Sequence, residues 1–124
     1  MPAATPALIY AALAALPVAM HIALAAGAPL GRFTLGGRFP GRLPWRWRGL
    51  ALVQAALLAG MAAAILSDAG VLALGWPPVA FWGAFTLTGL SLLANAASPS
   101  RPERLLWTPL LALMVLCALA SHVA

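Results

Sequence analysis

An all-α integral membrane protein, a bundle of four helices, is the fold this chain predicts, and three observations predict it. Of its 124 residues 64% are hydrophobic and 7% are charged, where a soluble domain carries about 25% charged residues. Four apolar runs each approach the roughly 20 residues that cross a hydrocarbon core. All seven basic side chains are arginines and fall into two of the connecting loops. A backbone in lipid must satisfy its own hydrogen bonds, which leaves helices or a closed barrel. The runs are long and do not alternate in polarity, so the barrel is excluded.

The first span is expected at about 6–27. Thr5 suits a helix cap, and Pro6 suits a first-turn position, where a missing N–H costs nothing. The segment before it has no positive charge, and the apolar run exceeds a signal-peptide core, so it is taken as a retained span. Pro17 lies mid-run and predicts a kink. Ala11, Ala15, Ala19, Ala23 and Gly27 recur at spacing four, a ridge of small residues suited to close helix approach. The second span is expected at about 49–67. Ala56, Gly60 and Ala64 repeat the small-residue spacing, which predicts a tight pair with span one.

After Asp68-Ala-Gly70, the short piece Val71–Gly75 leads to Trp76-Pro77-Pro78. The tandem proline resists helix continuation and can open a new helix. Span three is therefore placed at about 77–97, with Trp76 as an interfacial anchor; a start near Ala69 is the competing assignment. Ser100 and Glu103 have capping-box spacing ahead of span four, placed at about 104–123. Trp107 sits in its first turn, at aromatic-belt level.

The arginines orient the bundle. Arg32, Arg38, Arg42, Arg46 and Arg48 lie between spans one and two, and Arg101 and Arg104 between spans three and four. Positive loops stay on the cytoplasmic side, which predicts both termini outside (N-out, C-out) in a bacterial inner (plasma) membrane. The net charge of +5 does not indicate nucleic acid, because the charges flank apolar spans instead of forming a basic face on a soluble scaffold. Cys117 is single, so no intrachain disulfide is available, and it is read as a small packing residue.

The loop 28–48 is the long polar break in the chain. Gly31-Arg32-Phe33, Gly37-Arg38-Phe39 and Gly41-Arg42 form a loose repeat. Its five arginines can engage anionic lipid phosphates; the alternative is a loop that only sets topology. Gly31 to Arg38 has a superficial likeness to a phosphate-binding loop, but the lysine, the following Ser/Thr and the preceding strand are missing.

Polar residues inside the runs form the other candidate site. His21 lies about 9 Å of helix rise before the end of span one, and Gln54 lies at similar depth in span two. Ser91 and Asn95 sit in the corresponding half of span three, and Thr108 near the start of span four. Antiparallel spans bring all five to one layer just inside the arginine-bearing face. Such groups turn inward and find partners. They form either a site for a lipid or small apolar ligand, with His21 as its titratable member, or a structural hydrogen-bond cluster.

Absences shape the functional expectation. No Asp, Glu, Lys or Arg lies inside a span by this assignment, whereas proton-coupled export needs a titratable carboxylate at membrane depth. Small four-span multidrug exporters use a glutamate in their first helix, which this chain lacks. His21 and His122 lie near opposite faces and Cys117 is alone, so no metal site or cofactor is expected. Neither His21 nor Ser91 has an evident carboxylate partner, so enzymatic activity has no positive support.

Two stretches carry a resemblance. One is Gly27-Ala-Pro-Leu-Gly-Arg-Phe-Thr-Leu-Gly-Gly with Gly41-Arg-Leu-Pro44, and the other is Asn95-Ala-Ala-Ser-Pro-Ser-Arg-Pro-Glu-Arg104 with Trp107 and Pro109. Together they resemble a group of small bacterial four-span integral membrane proteins of uncharacterised activity with a Gly/Arg-rich loop after the first span. That group is expected to have Pro-Trp-Gly where this chain has Pro29-Leu30-Gly31. The resemblance implies the fold and the membrane location, and no activity. The expectation is a non-enzymatic membrane protein that binds a lipid or small apolar ligand, or serves as an accessory subunit of a larger complex. A small transporter, dimeric through the Ala/Gly ridges, is the alternative.

Overall fold

The computed structural model describes residues 2–124. It contains four helices, α1 (Ala4–Ala25), α2 (Trp45–Asp68), α3 (Pro78–Ala96) and α4 (Arg101–Val123). Two single-turn 3₁₀ segments, Gly31–Phe33 and Leu35–Gly37, lie in the first loop. All four helices are long and apolar enough to cross a membrane, and the chain is a multi-pass membrane protein. Large apolar side chains such as Leu8, Leu52, Val79, Leu93, Leu105 and Leu116 cover the outer surface, as expected where the surroundings are hydrocarbon.

Local chemistry decides where each helix starts and stops. α1 begins at Ala4, so Thr5 lies within its first turn instead of capping it, and no side chain caps this end. Pro6 permits the earlier start because first-turn N–H groups have no intrahelical partner. α1 and α2 end alike. Gly27 and Gly70 adopt positive φ, while Ala28 N–H reaches Ala23 O and Val71 N–H reaches Leu66 O, each at 2.9 Å. Both are Schellman stops. α2 starts at Trp45, so Arg46 and Arg48 ride on its first turn instead of the preceding loop. At α3, Pro77 is held extended by the proline after it, and Pro78 takes the first helical position. This rules out the alternative start near Ala69: residues 71–77 form a non-helical connector, exposed from 72 onward.

The helices form a ring in which each packs against its sequence neighbours and α4 closes against α1. The α1–α2 pair is the most extensive and α2–α3 the sparsest of the four neighbouring pairs. After Pro6 in the first turn, the buried face of α1 runs through Ala7, Tyr10, Ala14, Pro17, Met20 and Leu24. From Ala7 to Leu24 its steps are a mixture of threes and fours, close to the 3.5 period of a left-handed bundle seam.

The expected small-residue ridge is not this seam. Steps of four drift about 40° each around a 3.6-residue helix, so Ala15 and Ala19 face outward. On α2 the inward small residues are Ala51, Ala55 and Ala64, whereas Ala56 is exposed.

Two polar contacts tie the bundle together. Thr88 Oγ1 on α3 donates to Ala84 O at 2.7 Å, so it accepts from Tyr10 OH on α1, also at 2.7 Å. Both residues are fully buried. At the end remote from the arginines, His122 Nδ1 lies 2.9 Å from Asp68 Oδ2. The His122 ring stacks on Phe81, with centroids 4.1 Å apart.

Candidate functional site

The arginine-rich loop folds back over the end of the bundle. Gly31 N–H donates to Gly41 O and Arg32 N–H to Pro40 O, which pinches the loop into a compact flap. Gly31 is required there, because a Cβ would lie 1.6 Å from Phe39 O. Three bonds then fasten the flap to α4. Trp107 Nε1 donates to Phe33 O at 2.7 Å, Ser100 Oγ donates to Arg32 O at 2.5 Å, and Gly36 N–H donates to Glu103 Oε2 at 2.8 Å. Leu35 has a φ of 53°, a left-handed conformation costly for a branched side chain, and it leads directly into the Gly36 N–H that Glu103 holds.

Beneath the flap is a cavity of about 350 Å³, at the lower end of the range for small-molecule sites. Phe33, Thr34 and Leu35 roof it, while His21, Gln54, Ser91, Asn95, Glu103 and Trp107 are among its walls. Four of the five residues assigned to the polar layer thus line one chamber. The fifth does not. Thr108 follows Trp107, and one residue turns the side chain about 100° around the helix. Trp107 therefore faces the chamber, while Thr108 Oγ1 is buried elsewhere without a hydrogen-bond partner.

Glu103 does more than the capping role that its spacing from Ser100 predicts. Half of the expected capping box forms, with Ser100 Oγ accepting from Glu103 N–H at 3.4 Å. The reciprocal half does not, because Ser98 Oγ takes Ser100 N–H. The carboxylate turns to the flap and the cavity and is 9% exposed. The chamber therefore contains a carboxylate, contributed by a helix that starts at Arg101 and not at 104. The available signal was spacing: Glu103, Trp107 and Leu111 stand four apart, on one face of α4.

The chamber's polar groups are partly satisfied from within. His21 Nδ1 lies 2.7 Å from Pro17 O; a carbonyl only accepts, so Nδ1 carries the hydrogen. Asn95 Nδ2 donates to Ser91 O at 2.8 Å. None of the seven arginines lines the chamber. Arg32, Arg38, Arg42 and Arg46 are exposed on the outside. Arg32 lies over the Phe33 ring, and Arg38 over Phe39 and Trp47. Arg48 differs from the other loop arginines. Its Nε donates to Leu43 O and its guanidinium packs at Gly27, where it complements the negative end of the α1 dipole.

An apolar groove continues from the chamber between α2 and α3. Ala56, Gly60 and Ala64 line one side, and Val79, Ala80, Gly83 and Ala84 the other, with Trp76 at its far end. Leu57, Met61 and Leu87 belong to both spaces. The small residues of α2 at spacing four thus form a wall of this groove. Comparison with family models, curated proteins and solved structures finds no match for this chain.

Proposed function

We propose that this multi-pass membrane protein binds an amphiphilic ligand taken from the lipid phase. The polar head occupies the chamber under the flap and the apolar tail lies in the α2–α3 groove. The observation that carries this reading is the shared wall of Leu57, Met61 and Leu87, which joins a polar chamber to an apolar groove between the two most loosely packed neighbours. Leu57 and Leu87 are themselves exposed, so the junction opens toward the surrounding lipid.

The arginine asymmetry supports a bacterial inner-membrane setting with the flap on the cytoplasmic side. Exposed Arg32, Arg38, Arg42 and Arg46 there contact anionic headgroups. The test is to fill the groove. Gly60 and Gly83 have open space where a Cβ would stand, and leucine is the better helix former by about 1 kcal/mol. Gly60→Leu and Gly83→Leu should fold and lose the lipid or small amphiphile that co-purifies with the native chain, as read by mass spectrometry of the extracted protein. Equal retention in both variants refutes the reading.

A second reading, a small transporter, draws on one observation: the buried carboxylate of Glu103 and His21 face the same cavity. Flux of a small substrate into proteoliposomes, with and without a pH gradient, separates carriage from binding.

A further inference from the structure

Resting on the amphiphile reading above, we infer that the chamber selects a head group carrying a primary ammonium. The argument is a balance of donors and acceptors. Four donors around the chamber are spent within the protein: Trp107 Nε1 on Phe33 O, Gly36 N–H on Glu103 Oε2, one Asn95 amide hydrogen on Ser91 O, and His21 Nδ1 on Pro17 O; the second Asn95 amide hydrogen and the Gln54 amide remain.

What remains is rich in acceptors. Glu103 Oε1 receives no donor among the described residues and is not fully enclosed, although the residue as a whole is nine-tenths buried. The second ring nitrogen of His21, on the side of the Gln54 amide, accepts whenever the ring is uncharged. Asn95 has turned its nitrogen to Ser91 O, which leaves Oδ1 free. Gln54, Ser91 and Thr34 can serve either way.

Charge points the same way. Arg104, next to Glu103 in sequence, donates to Ser98 O instead of pairing with the carboxylate. The only contact between a basic and an acidic side chain among the described residues is His122 with Asp68, at the opposite end. A buried carboxylate without a basic partner is completed by a cation. A primary ammonium brings one positive charge and three donors, enough for one carboxylate oxygen and two neutral acceptors. The tail follows the groove past Leu57 and Leu87, so the ligand is an amphiphile of the lipid phase and not a free amine.

The probes are four twelve-carbon amphiphiles added to the full chain in phosphatidylcholine nanodiscs: dodecylamine, dodecyltrimethylammonium, dodecanol and dodecanoate. Ligand-induced shifts in the unfolding temperature are titrated for each. Dodecylamine should stabilise the native protein, whereas the trimethylated analogue, equal in charge and chain but without N–H donors, should do so about tenfold more weakly or less. Glu103→Gln keeps an oxygen for Gly36 N–H and removes the charge, and it should weaken dodecylamine binding by about tenfold or more. Equal response to the two cations, or dodecylamine binding untouched by Glu103→Gln, overturns the inference.

Gly60→Leu separates the two levels of the argument. If all four amphiphiles bind alike and all are lost in Gly60→Leu, the groove reading stands and the ammonium reading falls. If none binds the native chain, both fall.

Discussion

Glu103, in the first turn of α4, accepts the backbone N–H of Gly36 at 2.8 Å across 67 residues of sequence. This bond joins the flap to the bundle and makes the carboxylate part of the chamber wall. Replacing Glu103 by alanine leaves a part-buried donor without a partner, a cost of about 1–3 kcal/mol. Hydrogen exchange should rise at the amides of 33–38 in Glu103→Ala, with a lower unfolding temperature. Glu103→Gln retains an acceptor and should stay near the native values. Identical behaviour of the two variants would mean that the bond does not hold the flap.

The pinch at the base of the flap makes a sharper prediction. A methyl at Gly31 meets the Phe39 carbonyl, whereas one at Gly41 meets nothing within 4 Å. Gly31→Ala should therefore destabilise by about 3 kcal/mol or more, because backbone has to move. Gly41→Ala should change stability by less than about 0.5 kcal/mol. Thermal unfolding of both variants in the same detergent checks the contrast.

The Tyr10–Thr88 bond predicts an asymmetric pair of variants. Tyr10→Phe leaves Thr88 still donating to Ala84 O and should cost about 0.6 kcal/mol, typical of interhelical bonds in membranes. Thr88→Val leaves the buried Tyr10 hydroxyl with no acceptor and should cost more, about 1–3 kcal/mol. A double-mutant cycle by reversible unfolding in mixed micelles measures both, and equal costs would contradict the donor assignment.

Topology can be tested by labelling single cysteines in a Cys117→Ala background. Gly41 and Ala73 are both exposed and lie at opposite ends of the bundle. An impermeant maleimide should label Ala73→Cys on intact spheroplasts and Gly41→Cys only after lysis. The reverse pattern would invert the orientation that the arginines imply.

The polar layer was legible because antiparallel spans of similar length carry His21, Gln54, Ser91 and Asn95 to one depth, where all four border the same cavity. Thr108 shared the depth but not the face, and depth alone does not fix rotation about a helix axis. The ridge on α1 departs from the seam for the same reason: spacing four marks neighbours along a helix, whereas a straight seam needs the mixture of threes and fours seen from Ala7 to Leu24. Glu103 fitted a local capping pattern, and nothing local showed that Ser98 would take the Ser100 N–H and release the carboxylate to the flap.

The sequence by itself determined the all-helical fold, the four membrane-crossing segments and most helix stops. Those depend on hydropathy, proline and glycine, which act over a few residues. Tertiary structure alone decided that the arginine-rich segment becomes a flap fastened to α4, that Glu103 faces a cavity shared with His21, and that an apolar groove continues it between α2 and α3. These features arise from bonds between residues some 70 positions apart, such as Trp107 to Phe33 and Ser100 to Arg32, and no local pattern encodes which distant carbonyl a side chain will meet.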